Sequence, residues 1–145
     1  VASMCKLGFD IGLKDMKADE LTYCQEAVAN YKRLKPVILD GDQYRLISPY
    51  ESNHMAIMYA APDASKAVLF AYDIHPRFGE KLPIKLQGLD AGKMYRVKEI
   101  NLMPGRKSNL PGNEKIFSGD YLMKIGLNAF TTSQTHSRVI ELVAE

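Results

Sequence analysis

Tryptophan is missing altogether from these 145 residues, and cysteine occurs only twice, as Cys5 and Cys24. Two cysteines make neither a disulfide framework nor a zinc quartet. Both are expected to be unpaired, with Cys24 serving as a small hydrophobe on a helix face. No apolar run approaches the ~20 residues of a membrane helix, so no helix of this chain is expected to span a bilayer. Nineteen basic and seventeen acidic side chains leave a formal charge of +2. That balance is too weak and too dispersed for a nucleic-acid or anionic-lipid partner. Repeats and low-complexity segments are absent. A composition of 46% hydrophobic and 25% charged residues is ordinary for a globular protein and removes disordered, collagen-like and coiled-coil readings.

What remains is the amount of chain that makes one domain. At this length folding hides roughly 70% of the unfolded surface, enough for a core without disulfide or metal staples. The sequence opens Val1-Ala2-Ser3, with no initiator Met and no basic-then-apolar leader. It is therefore expected to be cut from something longer, as a mature N-terminus or an excised domain, and its compartment stays open.

The first dozen residues alternate apolar with polar or Gly through Leu7, Phe9 and Ile11, as a short strand or extended tail would. From Asp15 the period changes. Leu21, Cys24, Val28, Tyr31 and Leu34, with Ala27 beside them, fall three and four apart and draw one apolar stripe on a helix. Asp15 is the expected N-cap, Asp19 and Glu20 charge the first turn, and Lys32, Arg33 and Lys35 the last. Pro36 is expected to stop this helix of roughly 18 residues.

After Pro36 short apolar runs alternate with turn signals, which predicts a mainly-β domain, an antiparallel β-sandwich of roughly eight strands. Val37–Leu39 and Tyr44–Ile47 flank Asp40-Gly41, a hairpin dipeptide. His54–Ala61 and Lys66–Tyr72 flank Pro62-Asp63-Ala64-Ser65, and Ile84–Leu86 and Met94–Ile100 flank Leu89-Asp90-Ala91-Gly92. Lys115–Phe117, Tyr121–Ile125 and Arg138–Val143 complete the set, with an irregular loop expected over Met103–Asn113.

None of the familiar chemical motifs is complete. Gly88-Leu89-Asp90-Ala91-Gly92-Lys93 is one residue short of a phosphate loop, lacks the closing Ser or Thr, and leads into a strand. It lacks the helix N-terminus that would hold phosphate, so it reads as a turn. His54, His75 and His136 are scattered. Asp73-Ile74-His75 offers two metal ligands where three or four are needed, and Asp40-Gly41-Asp42 lacks the further oxygens of a calcium loop. No serine stands in a Gly-x-Ser-x-Gly elbow. Asp73, Glu80, Glu99 and Asp120 are the carboxylates available for glycosidic chemistry, which needs two facing each other, and each reads by default as surface charge. Tyr50, Tyr59 and Tyr72 sit at core-like spacing, which favours packing over a sugar platform. The expected site content is therefore none: no catalytic, cofactor-binding or metal-binding residue.

Several longer stretches do look familiar. They are Leu7-Gly8-Phe9-Asp10-Ile11, Ala27–Leu34, Gly41–Pro49, Ser65–Tyr72, Leu86–Asp90 with Tyr95-Arg96-Val97, and Ser118–Met123 with Ile125-Gly126-Leu127. Together they resemble the C-terminal end of alpha-galactosidases of glycoside hydrolase family 36, from about Leu7 to Leu142. The Gly-Asp-x-Tyr-Arg-Leu-x-Ser-Pro run and the Ser-Gly-x-x-Leu-Met run carry most of the likeness.

The resemblance implies that residues 1–36 are the tail of a catalytic barrel and residues 37–145 the C-terminal antiparallel β-sandwich behind it. The helix stripe would then pack on the barrel of the same polypeptide. In that family a Lys-Trp-Asp motif holds the nucleophile of a retaining reaction, and a chain without Trp lacks it, so no catalytic residue carries over. The implied role is an accessory domain that braces the barrel of an enzyme cleaving terminal alpha-galactosides. The alternative is an independent carbohydrate-binding module, and the same sandwich behind another barrel glycosidase is a third reading. The resemblance points to a bacterial enzyme acting on plant oligosaccharides. Without the barrel, the stripe through Leu21, Cys24, Val28 and Tyr31 predicts homo-oligomers.

Overall fold

The computed structural model describes residues 2–9, 12–74, 83–130 and 136–145. One long helix, α1 (Ala18–Asp40), precedes six strands: β1 (Asp42–Ile47), β2 (His54–Ala60), β3 (Lys66–Asp73), β4 (Met94–Ile100), β5 (Ile116–Ser118) and β6 (Ser137–Ala144). A short helix, α2 (Gly119–Lys124), follows β5. All six strands join one antiparallel sheet in the order β1-β2-β3-β6-β4-β5. The mainly-β antiparallel class is as expected, with six strands among the described residues in place of about eight.

The sheet alternates its side chains between two apolar layers, as strand geometry requires. Ala67 on β3 pairs with Leu142 on β6, and Leu142 pairs with Val97 on β4. These three lie in a layer with Met58, Leu69, Tyr95 and Ile140, covered by Leu86, Leu110, Leu122 and Phe130 from the connecting segments. The opposite layer holds Ile57, Tyr59, Val68, Phe70 and Ile100, and here Leu34, Val37 and Ile38 of α1 form the cover.

That docking explains the largest departure from expectation. Pro36 lies inside α1 instead of ending it. Its ring removes one backbone donor, yet burying Val37 and Ile38 rewards the final turn. Gly41 then closes the helix with its N–H on the Val37 carbonyl at 3.2 Å. Asp40-Gly41 is thus a helix-to-strand junction and not a hairpin. A Cβ at Gly41 would lie 2.4 Å from the Val37 carbonyl oxygen and 2.5 Å from that of Ala60. At the other end the cap is Lys17, whose N–H donates to Glu20 Oε2 at 3.0 Å. Asp15 instead closes a 3-10 turn, Leu13–Asp15; Ala2–Met4 forms another, and residues 6–9 are irregular, where a short strand or extended tail was expected. Lys32, Arg33 and Lys35 lie before the last turn, because the helix runs on past them.

The hairpin at Pro62–Ser65 is present, with the Ser65 N–H on Asp63 Oδ1 at 2.9 Å. Two other predicted strands are not. Ile84–Leu86 makes only an isolated bridge, Ile84 to Leu127, so Leu89–Gly92 turns without closing a hairpin. Tyr121–Ile125 lies mostly in α2, because Ser118 caps that helix by accepting from the Tyr121 N–H at 3.2 Å. Asp120 at its start and Lys124 at its end complement the dipole. Residues 101–115 are irregular, which covers the loop expected from Met103 to Asn113.

Candidate functional site

The candidate carboxylates are dispersed among structural partners. Glu99 on β4 is buried, where its Oε2 accepts from Arg138 Nη1 of β6 at 2.6 Å and from the Ser108 hydroxyl. Arg138 also donates to the Ala129 carbonyl at 2.7 Å and to Asn109 Oδ1 at 2.5 Å. Glu99 is thereby committed to holding the 101–115 loop and the segment before Phe130 against the sheet. Asp73, at the end of β3, faces His54 of β2 across a registered pair, with His54 Nε2 3.6 Å from Asp73 Oδ1. Asp120 pairs with Lys124 at 2.6 Å, one helical turn away. Glu80 lies outside the described residues. Each described candidate faces a different basic side chain, and the structure brings no two of them together.

His54 is buried with its ring 4.0 Å from that of Phe130. His136 is exposed just before β6, and its carbonyl accepts from the Asp73 N–H at 2.9 Å. His75 falls outside the described residues, and with it half of the Asp73-Ile74-His75 pairing. Among the described residues no three His, Cys, Asp or Glu side chains gather as metal ligands. Cys5 is exposed and Cys24 half-buried, both as free thiols. No helix there is long and apolar enough to cross a membrane.

The Gly88–Lys93 stretch is a turn. The Gly92 N–H is spent on Asp90 Oδ1 at 2.8 Å, and Lys93 Nζ donates to the Asp63 carbonyl at 2.7 Å. Tyr95 fastens this turn to the β2–β3 hairpin, accepting from the Asp90 N–H at 2.9 Å and donating to the Ala64 carbonyl at 2.7 Å.

The three tyrosines divide. Tyr59 is buried edge-on to Phe70, with centroids 6.1 Å apart, and Tyr72 is half-buried with its hydroxyl on Met4 Sδ at 3.2 Å. Tyr50 is 98% exposed, so for this residue the packing expectation fails. It stands on the β1–β2 connection beside a depression of about 1010 Å³ that Phe130 and Lys85 also line. Ser-Pro-Tyr-Glu-Ser is a turn-forming run, and that signal, set against the core-like spacing, was the available hint.

The α1 stripe is unevenly covered. Ala27, Leu34, Val37 and Ile38 are buried, whereas Leu21 is 39% exposed and Cys24 and Val28 are only half-buried. Polar clips tie the helix down near its middle: Asn30 Nδ2 donates to Asn101 Oδ1 at 2.8 Å, and Arg33 pairs with the buried Glu141 of β6. The N-terminal half therefore presents apolar side chains beyond the sheet.

Comparison with known proteins gives one consistent answer. Probable alpha-galactosidase G of Aspergillus terreus is 31% identical over 136 residues, which is 93% of this chain and 17% of that protein. Alpha-galactosidase 1 of Pediococcus pentosaceus is 25% identical over 97% of the chain and 18% of its own length. Relatives are thus fungal as well as bacterial, and a bacterial source is not singled out. Among solved structures, the family 36 alpha-galactosidase AgaA of Geobacillus stearothermophilus superimposes with a TM-score of 0.81 at 25% identity, covering 99% of this chain and 18% of that one. The chain spans less than a fifth of each relative. The profile of the glycosyl hydrolase family 36 C-terminal domain matches residues 54–142, which takes in β2 through most of β6, and the chain therefore belongs to that family as its C-terminal domain.

Proposed function

We propose that this chain is the C-terminal accessory part of an alpha-galactosidase, bracing a catalytic barrel in the same polypeptide and supplying no catalytic residue itself. Residues 1–36 would close the barrel and residues 37–145 form the β domain, with α1 shared across the boundary. The observation that carries this reading is the half-covered stripe of α1. An amphipathic helix derives its stability from burying its apolar face, and here Ala27 and the C-terminal part are buried while Leu21, Cys24 and Val28 are left partly open. A barrel surface packed on Leu21, Cys24 and Val28 would complete it. The separate commitments of Asp73, Glu99 and Asp120 agree, because retaining glycosidases need two carboxyl groups roughly 5 Å apart.

The test is hydrolysis of a chromogenic alpha-galactoside by the full-length parent and by this chain, side by side. Turnover by the parent alone is the expected result. Turnover by this chain alone would overturn the reading and make Asp73, Glu80, Glu99 and Asp120 the first residues to replace.

A further inference from the structure

We propose that the depression beside the β1–β2 connection binds a neutral oligosaccharide, with Tyr50 as its stacking platform. Such binding would be a second role, separate from bracing. Tyr50 is 98% exposed, and a ring held wholly in water contributes nothing to folding through burial. Its backbone is nevertheless fixed. The Tyr50 N–H donates to Ser48 Oγ at 3.3 Å, the Glu51 N–H to the Ser48 carbonyl at 3.2 Å, and the Ile74 N–H to the Asn53 carbonyl at 2.9 Å. The ring is presented from a hydrogen-bonded loop that is already shaped before any ligand arrives.

The lining narrows the class of ligand. Asn53 and Gln87 add amides, and Glu51 and Lys85 add one charge of each sign, while Phe130, buried against His54, only closes the floor. Opposed charges favour neither an anion nor a cation. Amides that donate and accept at once suit hydroxyl groups, which do the same. A pyranose combines a hydroxyl rim with a C–H face that lies on an aromatic ring. A phosphate-bearing ligand would need converging cations, and Lys85 is the only Lys or Arg among the lining residues described. The volume of about 1010 Å³ lies at the upper end of small-molecule sites, which favours more than one sugar ring.

The experiment is a backbone-amide NMR titration of this chain with raffinose and with stachyose. Saturable shifts in the millimolar range are expected, centred on Asn53, Lys85 and Gln87. Tyr50→Ala should weaken binding by about tenfold or more, equivalent to about 1.4 kcal/mol, without moving the melting temperature. Tyr121→Ala, at an exposed ring on α2, should leave binding unchanged. Absence of saturable shifts with both sugars overturns the proposal, as does binding that survives Tyr50→Ala or maps to another face. A Tyr50 that instead seats another part of the polypeptide would give the first of those results. The hydrolysis comparison is independent, so either idea can fail alone.

Discussion

Arg138 of β6 and Glu99 of β4 form an ion pair with both side chains out of water, 3% and 2% exposed and 2.6 Å apart. The strands are hydrogen-bonded neighbours, so the pair adds no topology. It gathers Asn109 and the Ala129 carbonyl around the guanidinium and brings the Ser108 hydroxyl onto the carboxylate. Charges removed from water are tolerated only when their hydrogen-bonding capacity is met. Replacing one partner should therefore cost more than the pair is worth. Arg138→Met is expected to destabilise by about 3–5 kcal/mol, because Glu99 is left buried and unpaired. Urea unfolding gives the number, and the double replacement Arg138→Met with Glu99→Leu should recover part of it. A loss under about 1 kcal/mol would mean that water reaches the site.

Pro36 offers a gain. An interior helical proline costs about 3 kcal/mol through its missing N–H and ring clash, partly offset by the stiffer unfolded chain, about 0.4–1 kcal/mol. Pro36→Ala should thus raise stability by about 2 kcal/mol, read as a higher urea midpoint at unchanged slope. A lower midpoint would show that the proline sets the angle at which Val37 and Ile38 meet the sheet.

The half-covered stripe of α1 should make the chain associate with itself when nothing else covers it. Sedimentation velocity is expected to show dimers growing with concentration, and Leu21→Ser with Val28→Ser should return the monomer. A clean monomer at high concentration would place the stripe on the chain's own surface.

Alkaline pH should loosen the packing around Tyr72. Burial, reinforced by the nearby Tyr59, pushes its phenol up to about 12 from an ordinary 10.0. The proton is then held more tightly in the folded state, so this stabilisation is complete below about pH 10 and lost as pH rises toward 12. Tyr59 and Tyr95, also raised by burial, act in the same direction. Tyr72→Phe should flatten the fall in stability over that range without abolishing it, measured by urea unfolding at successive pH values.

Local pattern predicted some elements and misread others. The helix was visible because Leu21 to Leu34 repeat at helical spacing, and the β2–β3 hairpin because Pro62–Ser65 supplies turn chemistry between two apolar runs. The end of α1 was misread because the energy that carries it past Pro36 comes from Ile57, Val68 and Phe70, residues remote in sequence. Tyr121–Ile125 has a strand's apolar content, but the Ser118 cap and the Asp120 to Lys124 pairing decide for helix. The buried Glu99 looked like surface charge because its partner lies 39 residues downstream, and no spacing rule links them. At Tyr50 the spacing argued for the core while its neighbours argued for a turn, and the neighbours prevailed.

The strand order also bears on how this domain is made. β6 follows every other strand in sequence yet lies between β3 and β4, pairing Leu69 with Ile140 on one side and Ile140 with Glu99 on the other. Until it emerges from the ribosome, β1–β3 and β4–β5 share no strand ladder, and their open edges face one another. Such edges recruit strands from other chains. A nascent polypeptide paused before Ser137 would thus expose two open strand edges, and a chaperone engaged at that moment would shield the slot that β6 fills.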